Sequence, residues 1–82
     1  MDKKNIDKEV CRVGMIAELD AVSLYEQLVA YAQNEGIKKV LLDIAKEEKT
    51  HMGEFEALLL KLDEEQVAEL EAGKKEVAKL TE

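Results

Sequence analysis

The first 62 residues contain a single break, Asn34-Glu35-Gly36, and the 82-residue chain contains no Pro. Helices commonly end at Gly or Asn, because these residues tolerate the left-handed backbone of a C-terminal cap. On each side of the break, apolar residues recur at the three- and four-residue spacing of an amphipathic helix. The sequence therefore predicts two long helices, from about residue 5 or 6 to 33 and from about residue 37 to 62.

Two helices of that length joined by a three-residue turn must pack antiparallel. Asp63 is a suitable N-cap for a third helix, and Gln66 completes a capping-box pattern. We expect that helix to end at about Ala72, because Gly73 would interrupt it. The charged segment 74–82 is then compatible with a helix, a frayed tail or a linker. The predicted fold is all-α, an antiparallel two-helix hairpin plus a short C-terminal helix, in one domain spanning residues 1–82.

A hairpin of this size buries only a thin core, and such small chains usually need disulfides, a metal or a partner. Cys11 is the single cysteine, so disulfides, zinc knuckles and rubredoxin modules within these residues are excluded and a reducing compartment is expected. The formal net charge of −7 argues against a nucleic-acid partner. No apolar run reaches about 18 residues, and the charged start lacks a signal peptide's apolar segment, so no membrane association is expected.

Three polar residues lie on otherwise apolar helix faces. With residues placed about 100° apart, Glu18 is the only charge in the middle of the first helix's apolar stripe. Its stripe neighbours are Cys11, Gly14, Met15, Ala21, Val22, Tyr25, Val29 and Ala32. Glu48 and His51 lie in the same way among Ile37, Leu41, Ile44, Ala45, Met52, Phe55, Leu59 and Leu62. The opposite face, expected to be solvated, carries Asp43, Lys46, Glu47, Thr50 and Glu54.

These three residues have the outline of a metal site. A carboxylate in an apolar core is in practice paired, protonated or bound to a metal, and neither stripe contains Lys or Arg. Counted from the turn, Glu18, Glu48 and His51 reach nearly the same height in an antiparallel hairpin. Glu-x-x-His alone is a weak motif, because Glu makes up 14 of the 82 residues. A hydrogen-bonded pair of Glu48 and His51 in an ordinary core is the alternative.

The motif matches half of a known kind of centre. Ferritin-like di-iron bundles take one Glu from each of two helices and a Glu-x-x-His pair from each of two others. This chain has one of each, so a two-fold dimer would supply four carboxylates and two imidazoles. Oxygen and nitrogen ligands suit iron or manganese, with zinc as a competitor.

Other residues on the stripes have less specific interpretations. Tyr25 could donate its hydroxyl to a ligand carboxylate, or it could simply pack in the core. Cys11 is interpreted as a small buried apolar residue, and Gly14 as a point of close helix approach; Met15, Met52 and Phe55 are interpreted as core. A second apolar edge lies away from these stripes and consists of Val13, Ile16, Leu24, Leu28, Tyr31, Leu42 and Leu60. It suggests a further interface and therefore an assembly of more than two chains.

Two stretches of the sequence resemble the metal helices of the encapsulated ferritins. The first is Ile16-Ala17-Glu18-Leu19-Asp20-Ala21 followed by Leu24-Tyr25-Glu26-Gln27; the second is Glu47-Glu48-Lys49-Thr50-His51 with Gly53-Glu54-Phe55. The resemblance covers about residues 10 to 81. It is closest to the ferritin-like domain that some hyperthermophilic archaea join to the front of an encapsulin shell protein.

That resemblance implies a specific function. Members of the family are two-helix ferroxidases that dimerise around a di-iron centre and form an open ring of five dimers, here with two iron ions per dimer. It implies that Glu18, Glu48 and His51 are the iron ligands and catalytic residues, with Tyr25 beside them. Extra carboxylates form an outer metal site in some members, and Asp20 is the one present here. The expected location is the cytoplasm, inside an encapsulin nanocompartment that stores the oxidised iron.

Two other functions are compatible with the same residues. A rubrerythrin-like peroxidase would need an outside electron donor, because a single cysteine cannot form a rubredoxin centre. A non-enzymatic assembly or cargo module would use the metal only to hold the dimer together. Family members that enter a shell separately end in a docking peptide, and none is evident after Leu80. Either the chain is part of a shell fusion, or its targeting works differently.

Overall fold

The computed structural model describes residues 3–82, apart from the side chain of Lys4. The first two residues of the predicted domain, Met1 and Asp2, lie outside this part. Three helices follow one another, α1 (Lys3–Tyr31), α2 (Glu35–Leu62) and α3 (Glu64–Thr81). Helices α1 and α2 pack antiparallel along their length, which confirms the all-α hairpin with a short C-terminal helix.

The turn between α1 and α2 differs from the prediction. No described residue has a positive φ angle, so the left-handed stop expected at Asn34-Glu35-Gly36 is wrong. Instead, Asn34 has an extended backbone and its side-chain oxygen accepts a hydrogen bond from the backbone N–H of Ile37 at 3.0 Å. This bond satisfies a donor that a helix start leaves unpaired. Asn34 therefore starts α2, two residues earlier than expected, and α1 ends at Tyr31.

The third helix begins as predicted and continues further. Asp63 is its N-cap, and its Oδ1 atom accepts from the backbone N–H of Gln66 at 3.0 Å. The prediction that Gly73 interrupts the helix is wrong, since α3 extends to Thr81. A mid-helix glycine costs only about 1 kcal/mol relative to alanine. The Ala, Lys and Glu residues around it favour helix strongly enough to outweigh that cost.

The core between α1 and α2 is thin. Its buried members are Cys11, Val22, Ala45 and Leu59, all on the predicted inner stripes. The face of α2 expected to be solvated is exposed throughout. Across the hairpin, an ion pair joins Lys49 Nζ to Glu26 Oε2 at 3.4 Å. The predicted inner and outer faces are therefore confirmed except at Ile37, an inner-stripe residue that is 54% exposed, and little apolar surface is fully enclosed.

Much of the apolar surface remains uncovered in the single chain. The second apolar edge of α1 is exposed throughout, from 41% at Leu28 to 83% at Tyr31. No Cα atom of α3 lies within 8 Å of one in α1 among the described residues, so α3 departs from the hairpin. The molecule measures 46 × 40 × 15 Å, which makes it flat. None of the described helices combines the length and apolar character needed to cross a membrane.

Candidate metal centre

The hairpin brings Glu18, Glu48 and His51 together. Glu18 lies midway along α1, while Glu48 and His51 lie one turn apart on α2. His51 Nδ1 is 3.5 Å from Glu18 Oε2 and 3.6 Å from Glu48 Oε1. One ligand atom from each of the three residues lies within 4.8 Å of the other two. The prediction that these side chains share one level of the hairpin is confirmed.

The two carboxylates are more buried than the imidazole. The side chains of Glu18 and Glu48 are each 19% exposed, while that of His51 is 45% exposed. The Oε2 atom of Glu18 is fully enclosed and has no hydrogen-bond partner among the described residues. Leaving a buried acceptor unpaired costs about 1 to 3 kcal/mol, and more when the group is charged. His51 Nδ1 lies at ion-pair distance from this oxygen, 3.5 Å, but makes no hydrogen bond to it, so a cation would satisfy the oxygen more fully.

The separations fit a shared metal ion better than a hydrogen bond. N–H···O hydrogen bonds have donor–acceptor distances of about 2.7 to 3.2 Å, and both distances from His51 Nδ1 are longer. Two atoms that each bind one ion at about 2.1 Å can be separated by at most about 4.2 Å. Both separations from His51 Nδ1, 3.5 and 3.6 Å, satisfy this limit, and the ligand atoms of Glu18 and Glu48 lie within 4.8 Å of each other. The alternative of a simple Glu48–His51 hydrogen bond is therefore not what the structure contains.

The charge around the centre is negative. Within the described part of the chain, no Lys or Arg pairs with Glu18 or Glu48; the cross-hairpin Lys49 pairs with Glu26 instead. The donor set of two carboxylates and one imidazole suits a divalent first-row ion such as Fe²⁺, Mn²⁺ or Zn²⁺. Cation binding would offset the clustered negative charge, so the residues present fit a metal ion.

Two further candidates lie near the centre without joining it. Tyr25 is partly buried on the same face of α1, and no hydrogen bond links its hydroxyl to Glu18, Glu48 or His51 among the described residues. Asp20 is exposed, and it does not belong to the cluster of potential ligands found in residues 3–82. The roles assigned to both from the family resemblance stay predictions.

Two contacts were not anticipated from the sequence. The Phe55 ring lies directly against Gly14. The sequence pattern predicts Phe55 as a core residue and Gly14 as a point of close helix approach, but it does not pair the two. Arg12 Nη2 contacts Asp63 Oδ2 at 3.1 Å, which ties α1 to the start of α3. The partners of each pair are 41 and 51 residues apart, respectively. A register drawn from Glu18 opposite His51 would have placed Gly14 opposite Phe55.

A helical hairpin with one inward Glu on its first helix and a Glu-x-x-His pair on its second is the half-unit of a ferritin-like metal protein. The family model described as Rubrerythrin matches residues 9–82. The chain therefore belongs to the rubrerythrin family, within the ferritin-like proteins.

Individual relatives narrow the resemblance. A ferritin-like–encapsulin shell fusion protein of Pyrococcus furiosus is 58% identical over 73 residues, which are 89% of this chain and 21% of that protein. The encapsulin nanocompartment cargo protein EncC of Myxococcus xanthus is 36% identical over 69 residues, 80% of this chain and 53% of that protein. The chain thus spans about a fifth and about half of the length of these two relatives.

A solved structure matches almost the whole chain. The crystal structure of the encapsulated ferritin domain from Pyrococcus furiosus is 53% identical and superposes with a TM-score of 0.95. The match covers 99% of this chain and 83% of that one. The resemblance to encapsulated ferritins inferred from the two metal-helix motifs is confirmed.

Proposed function

We propose that this chain is a ferroxidase, oxidising Fe²⁺ to Fe³⁺ at a di-iron centre formed between two copies. The observation that carries this proposal is the enclosed Oε2 atom of Glu18, which has no hydrogen-bond partner and faces His51 Nδ1 at 3.5 Å. If this position served stability alone, an apolar residue would be expected there, because it would pack without the free-energy cost of burying a carboxylate. A carboxylate that binds iron does have a reason to be there.

The site in one chain is half of what two iron ions need. Glu18, Glu48 and His51 from two copies would give four carboxylates and two imidazoles, the ligand set of ferritin-like di-iron proteins. His51 is 45% exposed, so the centre opens to the surface where a second copy could approach. Half-buried Met15 and Met52 flank it and would be covered by that copy. The resulting dimer would be a four-helix bundle.

The chain's own residues would bind and orient the iron substrate. Four carboxylates offset the charge of two Fe²⁺ ions and tolerate the two added charges after oxidation. Each Fe²⁺ gives up one electron. If the oxidant is O₂, it accepts the two electrons and two protons and becomes hydrogen peroxide. If the oxidant is hydrogen peroxide, it accepts two electrons and two protons and becomes two water molecules. Tyr25 would donate its hydroxyl to a ligand carboxylate, and Asp20 would attract incoming cations.

The relatives supply the proposed setting. One relative joins a ferritin-like domain to an encapsulin shell and the other is named as an encapsulin cargo protein. We propose that this chain acts in the cytoplasm inside an encapsulin nanocompartment, as a ring of five dimers, and passes Fe³⁺ to that compartment for storage. The second apolar edge is exposed at all of its residues except the half-buried Leu60, which supports an assembly larger than a dimer.

Stopped-flow absorbance tests the activity with a matched pair of variants. Anaerobic protein loaded with Fe²⁺ is mixed with O₂ or with hydrogen peroxide, and the ferric absorbance is followed. Glu48→Ala removes a proposed ligand, while Glu47→Ala removes the adjacent exposed carboxylate and controls for charge and helix propensity. We expect Glu48→Ala to lower the rate at least about 100-fold, because losing even a group that only orients a metal ligand costs about 10- to 100-fold. Glu47→Ala should stay close to wild type.

The outcomes separate the rival functions. Ferric formation no faster than in buffer, with metal still bound, would support a metal-held assembly module and exclude the ferroxidase. The rubrerythrin family match makes peroxidase activity the second candidate. It predicts rapid turnover of peroxide only when an outside electron donor is added, since buried Cys11 is the one cysteine.

A further inference from the structure

Gly14 and Phe55 make a face-on contact one helical turn from the proposed metal centre. A Cβ atom placed on Gly14 would lie 2.8 Å from Cζ and 2.9 Å from both Cδ1 and Cδ2 of the Phe55 ring. These three atoms alternate around the ring, so their near-equal distances mean that the glycine faces the flat of the ring. Real Cβ atoms are essentially never found so close to other heavy atoms. Only glycine allows the ring to lie there.

This contact and the metal centre belong to one helix register. Gly14 lies four residues before Glu18 on α1, and Phe55 lies four residues after His51 on α2. Four residues advance a helix by about 6 Å and return to nearly the same face. In antiparallel helices, the Phe55 ring on Gly14 therefore determines that Glu18 lies opposite His51. It also determines how far apart the two helix axes are at that point.

The opposite end of the centre is closed by smaller apolar residues. Val22 lies one turn after Glu18, Ala45 lies just under one turn before Glu48, and both are buried. The ligands are thus enclosed between a layer of small side chains toward the turn and an aromatic layer away from it. A rigid ring with two side-chain torsions is a better defined spacer than flexible Met15 or Met52 would be.

We propose that Gly14 and Phe55 are positioning residues, a spacer that holds α1 and α2 at the distance where Glu18 and the α2 ligands can share an ion. The inference rests on the metal function proposed above. Atoms that bind one ion at about 2.1 Å can be at most about 4.2 Å apart. The separation that spans the two helices, from Glu18 Oε2 to His51 Nδ1, is 3.5 Å and leaves little room for wider helix spacing. A methyl group on Gly14 displaces the ring and separates the helices.

The spacer is tested with two glycine variants that differ in one respect. Gly14→Ala adds a methyl group under the ring, whereas Gly53→Ala adds one to α2 where no atom lies within 4 Å. Both gain helix propensity, but only the first disturbs the contact. Affinity is measured with Co²⁺, whose visible absorption reports ligand geometry without oxidation. We expect Gly14→Ala to weaken Co²⁺ binding at least about tenfold and alter the spectrum, and Gly53→Ala to do neither.

A second background keeps the test decisive if Gly14→Ala fails to fold. Phe55→Leu removes the flat ring and leaves room for a methyl group at position 14. In that background, adding Gly14→Ala should change Co²⁺ affinity by less than about twofold, the scatter expected of uncoupled changes. The proposal is overturned if Gly14→Ala binds Co²⁺ like wild type. It is also overturned if Gly14→Ala weakens Co²⁺ binding in the Phe55→Leu background as much as it does in the wild-type background.

A metal-free readout separates the spacer from the function on which it rests. Protons above an aromatic face are shifted upfield by the ring current, so the Gly14 Hα resonances of the apoprotein should lie upfield and lose that shift in Phe55→Leu. Unshifted resonances in a wild-type protein that binds Co²⁺ would overturn the spacer alone. A wild-type protein that binds no Co²⁺ would overturn the metal function, and the positioning role with it.

Discussion

Glu18 places a carboxylate where packing alone would select an apolar side chain. Its Oε2 atom is enclosed and unpaired, and its stripe neighbours Cys11 and Val22 are buried apolar residues. The metal-free chain therefore loses stability at the position that the proposed function needs most. Such a conflict between stability and local chemistry is expected at functional sites rather than in ordinary cores.

Glu18→Met tests that conflict in the metal-free protein. Methionine has nearly the shape of glutamate without its charge, so we expect the apoprotein to be stabilised by about 1 to 3 kcal/mol. In a domain of this size that corresponds to a rise in Tm of about 4 to 24 °C. Thermal unfolding is followed by circular dichroism with chelator present. Stabilisation by Fe²⁺ or Co²⁺ should disappear in the same variant.

The exposed Glu47 is the control for that substitution. Glu47→Met makes the same change outside the core and should alter stability by no more than about 0.5 kcal/mol. A Glu18→Met apoprotein less stable than wild type would mean that the carboxylate is satisfied in the metal-free chain. The argument for a missing ligand would then fail.

At the scale of the helices, side-chain caps determine where α2 and α3 begin. Asn34 and Asp63 each accept a backbone N–H three residues later at 3.0 Å. Asp63 has a further role, because its other oxygen contacts Arg12 on α1 at 3.1 Å. The backbone N–H of Gln66 first, then the charges of Lys8 and Arg12, hold the pKa of Asp63 below its ordinary value of 3.8, partly opposed by burial.

That lowered pKa gives stability a pH dependence of known sign. The folded pKa of Asp63 is below the unfolded value, so its contribution is fully present well above pH 3.8 and is lost as pH falls through the lower folded value. Urea unfolding followed by circular dichroism between pH 6 and 2 should show this loss. Asp63→Asn is the matched variant, because asparagine caps helices equally well without titrating.

The difference between wild type and Asp63→Asn isolates this one group from the other carboxylates. We expect wild type to be the more stable of the two near pH 6, and the advantage to vanish at the acid end. Asp63→Ala should be less stable than Asp63→Asn at every pH, since it also lacks the cap. A difference between wild type and Asp63→Asn that stays constant across the range would contradict the assigned cause.

On the scale of the whole molecule, the single chain leaves much of its apolar surface uncovered. It is 15 Å in its shortest dimension, little more than one layer of helices. Its exposed apolar residues include Val13, Ile16, Leu24, Leu28, Tyr31, Val40, Leu42, Val67, Leu70 and Val77. Surfaces of this kind mark interaction sites in small proteins. A second copy that completes the metal centre would cover part of this surface.

Metal and dimer should therefore stabilise each other. If only the dimer offers a complete site, Fe²⁺ favours association by mass action. Anaerobic native mass spectrometry on dilution should show dimers persisting to at least about tenfold lower protein concentration with Fe²⁺, and carrying an even number of irons. Glu48→Ala should remove this dependence and Glu47→Ala should retain it. Iron bound to monomers without any change in mass distribution would contradict the shared site.

The sequence by itself determined the helical hairpin, most of its inner faces and the three candidate ligands. Amphipathic spacing is a local property, and carboxylates and an imidazole in the middle of apolar stripes stand out without any tertiary information. Distance from the turn then placed Glu18 level with Glu48 and His51, because an antiparallel hairpin leaves no other arrangement. Local rules failed where competing propensities were close, as at Asn34, which caps α2, and at Gly73, which α3 accommodates.

Only the tertiary structure decided how closely the helices approach and which atoms are left unpaired. The ion pair of Arg12 with Asp63 joins residues far apart in sequence, and no spacing rule predicts it. The helix register does place Gly14 opposite Phe55, but how closely the ring approaches the glycine depends on the packing of both helices. The same holds for the Oε2 atom of Glu18, whose enclosure depends on both helices at once. Sequence identified a carboxylate in an apolar stripe, and packing made it an acceptor without a partner. The physical reason is that hydrophobic periodicity is a property of a single helix, whereas the distance between two helices and the burial of a side chain between them depend on both.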